Sequence, residues 1–262
     1  MKINLGLCMM YPSPGVVERI GADWDWIWLD GQHGEMAGYE TMLQMVRACH
    51  LIRRPAYVRV PGHEAAWTSL ALDMDADAVI VPQVDSGDQA RELVRRAKFP
   101  PLGNRSFGGR RVIDLHGRGY FEKANDANKL ICQIESPEAL ANVEAIASTP
   151  GVDGLFLGPD DLMLRRGHDM LKPPPKESLV AAAKLVVDAC LAHGKDCICV
   201  ATGSEMIALY AALGVNYIVA GAEAGFLSEG SKRAIGLAQS AIARSHEQSP
   251  VPELATAAKA LY

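Results

Sequence analysis

Short apolar runs recur along the chain, each followed by a stretch in which apolar residues return every three or four positions. The runs are Leu5–Met10, Asp25–Asp30, Ala56–Val60, Ala78–Val84, Lys129–Glu135, Gly154–Gly158, Asp196–Ala201 and Asn216–Gly221. They are nearly continuous in apolar residues rather than alternating, as strands covered on both faces are. The intervening stretches predict helices over Pro14–Gly21, Tyr39–Leu51, Glu64–Met74, Ser86–Phe99, Pro137–Ser148, Lys176–His193, Ser204–Leu213 and Glu229–Ser245. Ser86 and Ser136 stand where N-caps belong, Pro137 suits a first helical position, and Gly194 and Gly214 suit helix ends. Eight β–α repeats in 262 residues predict an α/β fold of the (β/α)8 TIM-barrel type, one domain over 1–262. A doubly wound open sheet is the runner-up, but no Gly-x-Gly-x-x-Gly follows the first strand.

One interval breaks the rhythm. Between the fourth and fifth strands, PPLGNRSFGGRRVIDLHGRGYFEKAND carries many Gly and Arg residues without a clear period, so a long functional loop is expected. After Ser249 the tail reads as a C-terminal extension, 249–262.

Composition narrows the function classes. The chain is 49% hydrophobic and 22% charged, which is globular composition, and its formal net charge of −5 argues against a nucleic-acid binder. Six scattered cysteines form no Cys-x-x-Cys pair and have no matching His spacing, against a zinc site or a disulfide frame. The first apolar run is too short for a signal peptide, and no stretch is long enough for a membrane span. The expected compartment is the cytoplasm.

In a barrel of this type the chemistry sits where the strands end, so the search narrows to those positions. The second strand ends in Asp30-Gly31-Gln32-His33-Gly34, the third in Arg59, the fifth in Gln133-Ile134-Glu135, and the sixth in Gly158-Pro159-Asp160-Asp161. Each group also has a structural use. Asp30 or Asp161 can cap a turn, Glu135 can accept helix amides, Arg59 can complete an ion pair, and His33 can be a surface histidine. Together on one rim they would be costly to bury unless a metal or substrate compensated them. Glu135 and Asp161 are oxygen donors suited to a hard divalent ion that also binds a 2-oxo acid. Arg59 would face the resulting enolate, and His33, oriented by Asp30, is the natural acid/base. A Schiff-base route needs a lysine at the same rim, but Lys129 and Lys195 fall at the opposite strand ends and no other lysine ends a strand.

These residues carry a resemblance. DWIWLDGQHG, YVRVPG, LDMDADAVIVPQV, PPLGNRSFG, the run from Lys123 through Leu162 and the late VAGAEAG resemble the HpcH/HpaI (4-hydroxy-2-oxoheptanedioate) aldolase family. These are class II, metal-dependent pyruvate aldolases within the phosphoenolpyruvate/pyruvate barrel superfamily. The resemblance implies Glu135 and Asp161 as metal ligands and Arg59 as the arginine that holds pyruvate and its enolate. It implies His33 with Asp30 as the proton-moving dyad, Gln133 beside the pyruvate site, and backbone amides around Gly158, Pro159, Asp160 and Asp161 for the pyruvate carboxylate. Asp73 matches a carboxylate of the acceptor side or of subunit contacts. The implied cofactor is Mg²⁺, Mn²⁺ or Co²⁺. The implied assembly is a homo-hexamer, a dimer of trimers in which the segment around Arg105–Tyr120 completes a neighbour's site.

Three departures stand out from the family pattern. Gln32 replaces the usual Glu beside the dyad, Asp75-Ala76 stands where Gly-Ala is usual, and Met163 follows where a small Ser is common. The expected activity is retro-aldol cleavage of a 4-hydroxy-2-oxo acid to pyruvate and an aldehyde. A decarboxylase of oxaloacetate-type 2-oxo acids, or a protein that binds such acids without turnover, are the alternatives. The acceptor aldehyde is not legible in the sequence.

Overall fold

The computed structural model describes residues 2–247 apart from Ala37 and Thr202. Eight parallel strands close into a barrel in chain order: β1 (Asn4–Met9), β2 (Trp26–Asp30), β3 (Ala56–Arg59), β4 (Ala78–Val81), β5 (Lys129–Ile134), β6 (Gly154–Leu157), β7 (Asp196–Val200) and β8 (Tyr217–Ala222). The helices are α1 (Pro14–Ile20), α2 (Tyr39–Leu51), α3 (Ala65–Asp73), α4 (Gly87–Ala97), α5 (Arg110–His116), α6 (Phe121–Ala127), α7 (Pro137–Ala141), α8 (Val143–Ala147), α9 (Pro159–Arg165), α10 (Lys176–His193), α11 (Ser204–Leu213) and α12 (Glu223–Glu247). The barrel predicted from the apolar runs is the observed fold. Residues Met1–Glu223 form one compact unit holding the whole barrel, and those from Ala224 group separately. The expected extension from Ser249 lies outside the described residues.

The apolar runs are continuous because each strand buries both faces. Outward positions such as Leu7, Ile27, Leu29, Val58, Val79, Cys132, Leu155 and Cys199 pack under the helices. Inward positions Cys8, Trp26, Trp28, Tyr57, Ile80, Ile131, Phe156, Ile198 and Val219 fill the interior. The interior is a packed core rather than a pore. Large and small residues alternate across it: a Cβ on Gly6 would lie 2.3 Å from the Trp26 ring, so glycine there gives the indole its space. On the outside, α4 buries Ala90, Leu93, Val94 and Ala97 at helical spacing and exposes Glu92 and Arg95. Ser86 and Ser136 accept hydrogen bonds from Gln89 N and Ala139 N, as their positions predict. Gly194 and Gly214 end their helices in left-handed conformation.

Four local expectations are corrected. The long interval after α4 is not an open loop: it folds into α5, a 3-10 turn (Arg118–Tyr120) and α6 around a small cluster of Phe99, Val112, Tyr120 and Ala124. Pro137–Ser148 is two helices, broken at Asn142, whose side chain is drawn to Asp85 O at 2.8 Å. α9 follows β6 directly, its first turn being the Pro159-Asp160-Asp161 segment read as a strand end. α12 starts at Glu223 rather than Glu229, because Gly225 and Gly230 weaken a helical reading without preventing the helix. Asp75, expected to mark a loop change, has φ 71°, a left-handed conformation that glycine adopts at least cost. Its carboxylate pairs with His116 at 2.9 Å.

Candidate active site

Strand periodicity decides which side chains share the barrel mouth. Residues two apart face the same way, so Trp28 leads to Asp30, Tyr57 to Arg59, and Ile131 to Gln133 and then Glu135. The last member of each series emerges at the C-terminal rim. There Asp30, Arg59, Gln133 and Glu135 are buried and joined in one network.

Arg59 Nε and Nη2 donate to the two Asp30 oxygens at 2.9 and 2.6 Å, a bidentate pair. Its Nη1 reaches Gln133 Oε1 at 3.4 Å, and Gln133 Nε2 donates to Glu135 Oε2 at 2.6 Å. Beneath the guanidinium lies Trp28, with the ring centroid 4.6 Å from Arg59 Cζ and Phe156 edge-on at 5.1 Å. The other Glu135 oxygen accepts Gln83 N–H at 2.7 Å. Gln83 sits just after β4 with φ 56°, a left-handed conformation that points its amide at the carboxylate.

The two buried carboxylates are held differently. Burial pushes Asp30 up, but the hydrogen bonds and charge of Arg59, with the His33 and Gln32 amides, more than offset this and hold it below the usual carboxylate range. Burial pushes Glu135 up as well. The Gln83 amide and Arg59 compensate only partly, the Asp161 charge adds to the rise, and the group is pushed up to about 7. Asp161, in the first turn of α9, is partly exposed, with Arg165 at 3.8 Å. Gly158 caps that helix, and a Cβ there would fall 2.6 Å from Glu135 Oε2. Only glycine lets β6 pass this close to the carboxylate.

His33 and Gln32 follow Asp30 in a tight turn, and their N–H groups donate to Asp30 Oδ1 at 3.1 and 3.0 Å. Asp30 therefore orients His33 through the main chain. Among the described residues no side chain is hydrogen-bonded to the His33 ring, which is exposed at the cavity wall. Gln32 Oε1 is buried without a partner among the described residues. The cavity holds about 620 Å³ and is lined by His33, Asp30, Arg59, Gln133, Glu135, Gly158, Pro159, Asp160 and Asp161, with apolar residues opposite.

Asp73 does not join them. It ends α3 at the far, N-terminal end of the barrel, where Arg105 pairs with it at 3.0 Å. The lysines also lie where the sequence placed them: Lys129 Nζ meets Asp196 at 2.5 Å at the bottom of the barrel, and Lys195 donates to Val152 O. Sequence reasoning missed Trp28 and Gln83. Trp28 lies two residues before Asp30 and so on the same face, which could have found it. Gln83 acts through its backbone and left no residue-type signal.

No set of three or more His, Cys, Asp or Glu side chains among the described residues forms a metal cage. Glu135 and Asp161 nevertheless fit a magnesium-like ion, which is typically held by one or two carboxylates and completes its shell with water and substrate oxygens. A desolvated carboxylate raised by a second one is the electrostatic condition that a cation relieves.

A closed parallel barrel with a carboxylate–arginine network at its C-terminal rim defines the class. The chain belongs to the HpcH/HpaI aldolase/citrate lyase family, whose model matches residues 15–228. It is 37% identical over 169 residues to a 4-hydroxy-2-oxovalerate aldolase of Novosphingobium aromaticivorans, covering 63% of this chain and 64% of that protein. The match thus spans under two thirds of that relative's length. It is 30% identical to a 4-hydroxy-2-oxo-heptane-1,7-dioate aldolase of Klebsiella pneumoniae, covering 87% of this chain and 85% of the other. A crystal structure of a family member from Burkholderia cenocepacia superposes with a TM-score of 0.82 at 28% identity, covering 91% and 95% of the two chains. No described helix is long and apolar enough to cross a membrane.

Proposed function

We propose that the protein is a carbon–carbon lyase of the divalent-metal-dependent aldolase type, cleaving a 4-hydroxy-2-oxo acid to pyruvate, or a close 2-oxo acid, and an aldehyde. The observation that carries this reading is Glu135, buried beside Asp161 and pushed up to about 7, on the same rim as a fixed arginine. The names of the relatives point the same way.

Glu135 and Asp161 would hold Mg²⁺, Mn²⁺ or Co²⁺, which when bound polarises the 2-oxo group as a Lewis acid. Arg59, locked by Asp30 below its edge and Trp28 beneath its face, presents its remaining N–H groups to the oxygen that becomes negative. Gln133 ties that arginine to Glu135, so cation site and oxyanion site keep a fixed spacing. The Asp160 and Asp161 amides take the substrate carboxylate, since Pro159 has no N–H and the Gly158 amide donates to Ile134 O. The His33 ring removes the 4-hydroxyl proton, the C3–C4 bond breaks with its electron pair passing into the enolate, and the aldehyde departs. A proton returned to C3 completes pyruvate. In the assembly, a homo-oligomer of hexameric type, Asp73 serves a subunit contact or the acceptor side of a neighbouring site, since it lies at the far end of its own barrel.

The test is pyruvate formation from a small panel of 4-hydroxy-2-oxo acids, with chelator-stripped protein and then with Mg²⁺ or Mn²⁺ restored. Metal-restored pyruvate and aldehyde in equal amounts are expected. Folded protein that releases carbon dioxide without aldehyde, or turns nothing over, would overturn the reading.

A further inference from the structure

The late motif VAGAEAG holds a carboxylate that the proposed reaction does not use. Glu223 follows β8 directly, is the last residue of the barrel's compact unit, and is 1% exposed. Its Oε1 accepts the N–H groups of both Met10 and Tyr11, the latter at 2.6 Å, where β1 ends at the barrel mouth. Its Oε2 is buried with no partner among the described residues. Burial, then the charges of Asp30 and Glu223, push the Cys8 thiol up, so both carboxylates act on the floor of the same cavity. A buried carboxylate is costly to the fold where a neutral side chain is not. In return, two amides converging on a charged oxygen are held more firmly than by a neutral acceptor.

Met10 passes this constraint on. With Met206 and Tyr210 of α11 it belongs to the apolar side of the cavity, and its carbonyl accepts the Glu35 N–H at 2.7 Å. Glu35 closes the turn that begins at Asp30 and carries His33. A Cβ on Gly34 would lie 2.4 Å from Asp30 O and 2.7 Å from Met10 O, so the turn is pressed against the end of β1. The turn is thus held at two points. Asp30, fixed by Arg59, takes the Gln32 and His33 amides at its start, and Met10, fixed by Glu223, takes the Glu35 amide at its end. No described side chain is hydrogen-bonded to the His33 ring at the cavity wall, so these two anchors set where it stands. Every bond in the series is made within one chain. A neighbouring subunit at the mouth neither supplies nor replaces it.

We infer that Glu223 is a positioning residue for the acid/base: through Met10 it fixes the turn that holds the His33 ring at the substrate's 4-hydroxyl. The inference rests on the lyase reading above, in which His33 removes that proton. A displacement of about 1 Å at a proton-transfer distance lowers the chemical step while leaving the 2-oxo acid bound.

The experiment is a double-mutant cycle on pyruvate formation by Mg²⁺-loaded protein, with a 4-hydroxy-2-oxo acid that the wild type cleaves. Glu223→Leu should lower kcat about tenfold or more, with KM within about twofold of the wild type. Glu223→Gln, which keeps an oxygen for the two amides, should recover most of that loss. His33→Asn should itself lower kcat about 10²-fold or more. In that background Glu223→Leu should lower it by less than about twofold further, because the group it positions is gone. Coupling between Mn²⁺ and pyruvate should stay that of the wild type, since Glu135, Asp161 and Arg59 are untouched. If Glu223→Leu does not fold, Glu35→Pro at an exposed position removes the N–H that joins the turn to Met10. It should show the same split and the same non-additivity. Losses that multiply in the double variant, a glutamine no better than the leucine, or a change confined to KM overturn the inference and leave the lyase reading standing. A His33→Asn protein with wild-type turnover removes the base, and the inference falls while cleavage stands. Wild-type protein that yields no pyruvate overturns the lyase reading and the inference with it.

Discussion

At the N-terminal end of the barrel, Lys98 is buried with its ammonium donating to Asn125 O, Asn128 O and Asp153 Oδ2, each at 2.7 Å. All three of its protons are placed. Lys129 beside it is raised above its ordinary range, since burial lowers it but Asp196 and Tyr217 more than compensate. At the C-terminal end the arrangement is the reverse. Among the described residues, Asp30, Glu135, Asp160 and Asp161 line one cavity with a single arginine, Glu135 is raised rather than lowered, and Trp28 Nε1 and Glu223 Oε2 are buried without partners. The Glu223 carboxylate does secure the mouth on its other oxygen, accepting the Met10 and Tyr11 amides. One end uses charge to hold the fold, although Arg105 Nε there is buried without a partner among the described residues. The other leaves charge and donors for something that is not part of the chain, which is the signature of a site.

Substitutions at the two ends should therefore separate activity from stability. The largest effect is expected for Glu135→Gln, which should lower pyruvate formation about 10³-fold or more, the scale of losing a preorganised charge-stabilising group. The same change should not destabilise the chelator-stripped protein at pH 8. Because Glu135 is raised in the fold, its protonated form is fully stabilising below about 4.5 and that contribution is lost as pH rises through about 7. Denaturant titrations of stripped wild-type protein should show this decline, and the Glu135→Gln substitution should remove it. If the decline persists in the variant, Glu135 is not its source.

Next is Arg59→Lys, which keeps the charge but loses the bidentate geometry to Asp30, and should lower kcat/KM about 10²-fold. A variant retaining wild-type turnover would contradict the role of that geometry. Lys98→Met at the opposite end strands the partly exposed Asp153 and two carbonyls and should cost about 3 kcal/mol in denaturant unfolding. Turnover per folded molecule should stay within about twofold. The smallest effect is expected for Trp28→Leu. Losing a cation–π contact worth about 1 kcal/mol should raise KM for pyruvate about fivefold by letting the guanidinium drift. If kcat falls instead with KM unchanged, Trp28 does not act by holding Arg59.

What the sequence disclosed followed the same division. The strands were legible because each buries two faces, and the rim residues because period-two spacing and strand ends fix where Asp30, Arg59, Gln133 and Glu135 must emerge. Helix caps at Ser86, Ser136, Gly194 and Gly214 were local signals and appear as read. The interval after α4 was not legible, because its helices α5 and α6 are shorter than two full periods of a hydrophobic stripe and pack on their own small cluster. The geometry of the proposed dyad was also beyond the sequence. Asp30 and His33 are close in the chain in either case, but only the fold shows that Arg59 takes both Asp30 oxygens and leaves the His33 ring free to approach a ligand. The apolar half of the cavity was hidden for another reason: Met206 and Tyr210 read as ordinary core positions of an apolar helix.

The central claim is that the surplus carboxylates at the rim form a cation site shared with a 2-oxo acid. Calorimetric titration of chelator-stripped protein with Mn²⁺, with and without saturating pyruvate, tests it most directly. Shared binding requires pyruvate to tighten Mn²⁺ and Mn²⁺ to tighten pyruvate by the same factor, expected to be about tenfold or more, with both effects abolished in Glu135→Gln. Equal Mn²⁺ affinity with and without pyruvate, or undiminished coupling in that variant, would contradict the account.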